Sequence, residues 1–259
     1  MTDITATHSG ETAANPAATP DSEKGTPIVQ QPEIFYNPPS TANLATGYFP
    51  APTRKFANPV PAGMSVMATT LFTLGLILCR AHSVDNLIIL GSTFYFSAGL
   101  IQIIAGIWCI VVENTFAAAL LLSLGGFWAG IGGIATNDFG AQSAYDSDTF
   151  ASAFGLFLSA WTVFDFLLWT CTFRSTIPLF CTTFCLWFFM LLWTISIFGT
   201  HPNVETAAGV FAFLTSCGGY YAVYEGLTSE ENSYARIPKS KRFLMPYAYN
   251  AEKAEKSLV

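Results

Sequence analysis

Charge is what this chain has least of. Only 11% of its 259 residues are charged, against about 25% in ordinary soluble domains, so most of the chain lacks the solvated face that a soluble fold needs. Histidine is scarce, with three residues, and no Ser-His or His-His-acid grouping falls within an apolar run. Scattered cysteines make no nucleophilic site without a base, and no enzymatic activity is expected. All six cysteines, Cys79, Cys109, Cys171, Cys181, Cys185 and Cys217, lie inside apolar runs, which leaves none in a loop for a disulfide. Cys181 and Cys185 stand one helical turn apart, as a soft-metal pair would. They have no histidine or acid on neighbouring turns and read as packing residues, so neither a metal nor a cofactor is expected. The net charge of -6 sits mainly in the tails and the third loop and gives no reason to expect a nucleic-acid partner. No basic n-region with an apolar core stands at the extreme N-terminus, so a cleaved signal peptide is not expected.

What the chain has instead is length in apolar runs. Its residues are 52% hydrophobic. Six stretches, from about 61 to 79, 87 to 110, 115 to 136, 150 to 173, 177 to 199 and 204 to 227, meet the requirement of about 17 to 25 residues for a helix that crosses a bilayer. Short polar connections separate them, so successive helices are expected to be antiparallel neighbours. The predicted fold is an all-α polytopic membrane protein, six transmembrane helices in a compact bundle. Arg54 and Lys55 precede the first span; Arg236, Lys239, Lys241, Arg242, Lys253 and Lys256 follow the last. An even number of spans puts both termini on one side, and the Lys/Arg bias makes that side cytosolic. Arg174 falls on the same side, and Arg80 is the exception.

Three regions follow. Residues 1–53, rich in Ala, Thr, Pro, Glu and Ser, read as a disordered cytosolic tail, a solvated leader whose hydroxyls are open to phosphorylation. Residues 54–228 form the transmembrane domain. Residues 229–259 form a C-terminal tail whose basic cluster from Arg236 to Arg242 either attracts anionic inner-leaflet lipid or enforces topology. Glu225 is a candidate vestibule charge at the cytosolic end of the last span.

Polar residues within the spans are the candidate site. An Asp at mid-helix costs about 2.5 to 3.5 kcal/mol to insert, and Asp165 pays it inside Trp161-Thr-Val-Phe-Asp165-Phe-Leu-Leu168. It either faces a polar path and binds or relays a proton, or it is hydrogen-bonded to neighbouring Thr or Trp groups for packing or lies nearer an interface than the apolar run suggests. Gln102 carries a primary amide that needs partners for two donors and a carbonyl, as pore lining or as interhelical glue. At the start of the first span, Asn58, Pro59 and Pro61 pre-shape a helix terminus, whose free N–H groups favour a carboxylate. Ser65, Thr69, Thr70 and Thr73 follow at spacings near three and four, placing hydroxyls on one broad face. Met67 and aromatic rings such as Phe127 narrow this path, which suits a small monovalent solute. In the third span, Gly125, Gly126, Ala129, Gly130 and Gly133 give small-xxx-small spacing, so that helix is expected at a crowded interface, within the bundle or between subunits.

Taken together, six spans, the start Asn58-Pro59-Val60-Pro61-Ala62-Gly63-Met64, the segment Gln102-Ile103-Ile104-Ala105-Gly106 and the following Glu113-Asn114-Thr115-Phe116 resemble the acetate uptake transporter family, also called the acetate/succinate permease family, over residues of about 56 to 228. Asn58, Pro59, Pro61 and Gly63 keep the family scaffold, while Val60, Ala62 and Met64 depart from it. Cys109 stands where the family usually has a glutamate, Glu113 where it has a glycine, and Met67 where an aromatic is expected. The resemblance implies a plasma-membrane protein that moves acetate and similar small monocarboxylates, with succinate as a further solute, through each protomer of a hexamer embedded in lipid. The long N-terminal tail looks like the fungal branch, in which the alternatives are ammonia or ammonium export and a non-transporting sensor of acetic acid.

Overall fold

The computed structural model describes residues 56–199, 201–228, 233–234 and 237–246; the N-terminal tail lies outside them. Six long helices follow one another: α1 (Val60–Leu78), α2 (Leu87–Val111), α3 (Thr115–Ala135), α4 (Ser147–Thr170), α5 (Ile177–Gly199) and α6 (Pro202–Leu227). α1 to α5 are long and apolar enough to cross a bilayer. α6, which carries Glu205 and Glu225, falls below that level of apolarity, although it is the longest, at 26 residues.

The helix starts follow from local chemistry. The Asn58 side-chain oxygen accepts from the Val60 N–H at 3.1 Å, and Pro61, in the first turn, needs no donor there. Asn114 caps α3 through the Ala117 N–H at 3.1 Å. Asp146 accepts from the Thr149 N–H and starts α4 at Ser147, about three residues before the apolar run suggests. α4 ends correspondingly early, at Thr170, which brings Asp165 within five residues of the helix end rather than near its middle.

The bundle's most extensive interhelical packing joins α1 to α6. Small residues make it. A Cβ added at Gly75 would lie 2.7 Å from the Gly209 carbonyl oxygen, and one added at Gly219 would lie 2.9 Å from Ala68 Cβ. Gly226 abuts Pro61 still more closely. The matched residues 61, 68 and 75 on α1 and 226, 219 and 212 on α6 step by sevens in opposite directions, a register that keeps one antiparallel stripe in contact along the full height. The start of α1 and the end of α6 therefore share one end of the bundle, together with the ends of α2 and α4.

α2 pairs with α3 in the same manner. A Cβ at Gly106 would meet the Leu122 nitrogen at 2.9 Å, and one at Gly125 would meet the Gly99 oxygen and the Ile103 nitrogen, both at 3.1 Å. Of the small residues predicted to pack on α3, Gly125, Ala129 and Gly133 do so. Gly126 has nothing within 4 Å of an added Cβ, and Gly130 meets only Phe157 at 3.6 Å. Those two point away from α2, toward α4. The third loop is tied back to α2, because Tyr95 and Thr136 donate to the Asp138 carboxylate at 2.9 and 2.6 Å. These bonds, with Thr136 leading, hold that acid below the usual carboxylate range.

The C-terminal segment does not trail away. Tyr221 donates its hydroxyl to the Pro238 carbonyl, Ser240 bonds to Glu225, and Phe243 and Met245 pair with Ile177 and Ser175 across the α4–α5 turn.

Candidate functional site

α2 is not a uniform α-helix. It begins as a 3₁₀ turn over Leu87–Leu90, widens into a π-helix over Thr93–Ile101, and continues as a regular α-helix from Gln102. The wide turn brings the Phe94 carbonyl oxygen to 2.6 Å from where a Cβ would stand at Gly99, so glycine is the residue this winding admits. Extended π winding is rare and concentrates at functional positions.

Gln102 stands at the junction. It is fully buried, and neither its amide nitrogen nor its carbonyl oxygen bonds to a described protein group. An unpaired buried amide costs about 1 to 3 kcal/mol. Gly63 lies on the facing side of α1, where an added Cβ would sit 3.0 Å from Ala105 Cβ and closer still to Leu121. The signature glycine thus lets α1, α2 and α3 converge beside the Gln102 turn.

Asp165 is 1% exposed, and neither carboxylate oxygen has a hydrogen-bond partner among the described residues. It shares a buried stripe of α4 with Thr162 and Leu168. The hydroxyl pair Thr162–Thr194, at 2.9 Å, joins α4 to α5 on one side of it, and the pair Thr172–Thr183, at 3.2 Å, lies on the other. Among the described residues no Thr or Trp bonds to this carboxyl, while the early end of α4 places it nearer an interface than the apolar run suggests. Gln102 and Asp165 both lie in the half of the bundle nearer the Pro61 end.

The hydroxyl face expected on α1 divides. Thr70 is fully buried, while Thr69 is exposed and accepts from the Tyr220 hydroxyl at 3.1 Å. Thr73 is half-buried with Ser65 on the Thr69 side. Each threonine donates to its own preceding turn, Thr69 to Ser65, Thr70 to Val66 and Thr73 to Thr69. What remains for a solute is acceptor capacity. Met67, 1% exposed, belongs to the core on the Thr70 side.

A chain of rings crosses from α2 to α5. Phe94 stacks on Trp128 at 5.4 Å, Trp128 meets Phe127 at 4.8 Å, and Phe127 meets Trp161 at 5.1 Å and Phe157 at 6.0 Å. Phe154 continues to Trp193 at 5.7 Å. Phe127 is its centre and is buried. Sequence reasoning placed a narrowing residue here but missed Trp128, Phe157 and Trp193, single rings on three helices that no one helix's spacing brings together.

Two grooves open beside these elements. One, of about 380 Å³, is lined by Asn58, Pro59 and Ala62 of the α1 start and by Ile101, Ile104 and Trp108 of α2. The other, of about 620 Å³, lies between α3 and α4, over Ser123, Gly126, Trp161 and Phe164.

This architecture is that of a polytopic α-helical membrane protein with polar side chains sealed inside its bundle. The chain belongs to the GPR1/FUN34/yaaH family, whose model matches residues 40–243. It is 39% identical over 199 residues to "Ammonia transport outward protein 2" of Saccharomyces cerevisiae, covering 75% of this chain and 70% of that one. It is 34% identical over 197 residues to "Acetate permease A" of Emericella nidulans, covering 71% and 66%. Its fold is similar to that described in "Structure of the bacterial acetate channel SatP", with a TM-score of 0.63 at 23% identity, over 71% of this chain and 99% of that one.

Proposed function

We propose that this chain conducts acetate and related small monocarboxylates across the plasma membrane, with both termini cytosolic and each protomer of a hexamer carrying its own path. One observation carries the reading: the fully buried Gln102 amide has both its donor and its acceptor functions unused by the described residues. A carboxyl group accepts from such an amide and, when protonated, also donates to it. The relative named as an acetate permease supports the solute. Asn58, Pro59, Pro61 and Gly63 form the entry. Thr70, and Thr69 and Thr73 on the other side of α1, offer acceptors to the protonated acid, Met67 and Phe127 set the bore, and Asp165 is the proton-linked group. Lys/Arg placement supports the orientation.

A second reading, export of ammonia, is favoured by the yeast relative's name and by Cys109, which is buried where a glutamate is usual and gives that position no charge. Uptake by proteoliposomes separates the two. Labelled acetate is expected to enter well above the rate of empty vesicles while labelled methylammonium does not; the reverse result selects export of ammonia. Asp165→Asn is expected to flatten the pH dependence of acetate entry, and retention of both rate and pH profile would make Asp165 structural.

A further inference from the structure

Residues 237–246 form a strap across the end of the bundle at which α1 begins and α6 stops. Two residues tie it to α6: the Pro238 carbonyl accepts from the Tyr221 hydroxyl, and Ser240 holds Glu225. The Ser240 N–H donates to Glu225 Oε1 at 2.8 Å, and the Ser240 hydroxyl donates to Glu225 Oε2, so one carboxylate holds both. Glu225 precedes Gly226, the residue that abuts Pro61. From this anchor one 3₁₀ turn, Ser240–Arg242, carries the strap to the start of α5, the helix that packs against α6. There the Ile177 N–H donates to the Phe243 carbonyl at 2.7 Å and the Met245 N–H donates to the Ser175 carbonyl at 3.0 Å. The strap thus ties the last turn of α6 to the first residue of α5, and among its described residues none is fully buried, a condition that favours opening locally without unfolding the bundle.

We propose that Ser240 is a phosphoryl-acceptor site and that its modification releases the strap. This rests on the cytosolic orientation above. Ser240 is half-buried, Lys239 and Arg242 beside it are exposed, and Arg236 and Lys241 complete a cationic run around a single hydroxyl. Such a run complements the acidic cleft of a kinase that selects basic substrates. In the transfer, Ser240 Oγ bonds to the γ-phosphorus of a nucleoside triphosphate, and the bond from that phosphorus to the β–γ bridging oxygen breaks. The nucleoside diphosphate leaves, and the hydroxyl proton passes to the kinase's catalytic base.

The product reverses the anchor. The ester oxygen no longer has a proton to donate to Glu225. A phosphate of about -1.5 to -2 charge then stands where a carboxylate was within hydrogen-bond reach, while Lys239 and Arg242 offer it better partners. Loss of the anchor exposes the Ile177 and Met245 amides, neither of which bonds to Ser240.

The test uses the full chain in detergent, treated with the catalytic subunit of cyclic-AMP-dependent kinase and ATP, with modification read by peptide mass spectrometry and strap release by amide hydrogen exchange. Expected are a phosphate on Ser240 that Ser240→Ala removes, and exchange at Ile177 and Met245 faster by about tenfold. Ser240→Asp, without kinase, is expected to speed the same amides while the melting temperature of the bundle stays put. Absence of phosphate on Ser240, or modification that leaves both amides within twofold of their untreated rates, overturns the proposal. Neither readout involves solute flux, so failure of the transport reading leaves it standing.

Discussion

Two joints of this bundle are built from opposite materials. Between α1 and α6 the backbones nearly touch, with Gly75 against Gly209 and Gly219 against Ala68. Between α3 and α4 the backbones stay apart and the rings of Phe127, Phe157 and Trp161 bridge the space. In lipid, apolar side chains gain nothing from clustering as such, so close backbone approach is what fixes a helix pair. A joint of rings is held by side chains that have other rotamers to visit. The first joint is the rigid member and the second the adjustable one, and the buried polar residues Gln102 and Asp165 are held by helices on the two sides of the adjustable one.

The largest effect should come from adding bulk to the rigid joint. Gly75→Val puts side-chain atoms into the Gly209 carbonyl and the Phe213 nitrogen, neither of which can rotate away. It should cost about 3 kcal/mol, the upper part of the overpacking range. Gly126→Val at the other joint, where nothing lies within 4 Å, should change stability by less than about 0.5 kcal/mol. Thermal unfolding in detergent measures both, and equal losses would erase the distinction between the joints. Phe127→Leu comes next. It trims the central ring of the adjustable joint at an expected cost of about 1.5 kcal/mol but should admit larger monocarboxylates; an unchanged butyrate-to-acetate uptake ratio would remove Phe127 from the path. Smallest is Glu113→Gly. Glu113 has φ +61°, a left-handed conformation that costs a non-glycine residue about 1 to 2 kcal/mol. The substitution should therefore raise stability by about 1 kcal/mol, and a lower melting temperature would show that the glutamate side chain contributes more than its backbone strain.

Much of this was legible in the residues, for stated reasons. Apolar run length gave the helices, and Asn58, Pro59 and Pro61 gave the start of α1, because capping is a local event. The Asn-Thr-Phe segment marks the α2–α3 turn, and the glycine expected before it is the one that a positive φ calls for. The α4 boundary moved because Asp146 captures the Thr149 N–H, a polar event outside the apolar window. The α1–α6 joint escaped attention because its small residues, Ala68, Gly75, Ala212 and Gly219, repeat every seven positions on two distant segments, whereas the compact glycine cluster of α3 is conspicuous on one. Even there, the sequence period cannot say that Gly125 faces α2 while Gly126 faces a groove. The π winding before Gln102 has no single-residue signature, and the strap joins residues far apart in sequence through backbone groups that carry no side-chain label.

The central claim is that a carboxyl group uses the Gln102 amide on its way through the bundle. The direct measurement is initial-rate uptake of labelled acetate into proteoliposomes holding equal amounts of folded wild-type or Gln102→Ala protein. Loss of a hydrogen-bonding partner worth about 1.4 kcal/mol lowers uptake about tenfold with the melting temperature preserved. Equal uptake by the two proteins would contradict the account.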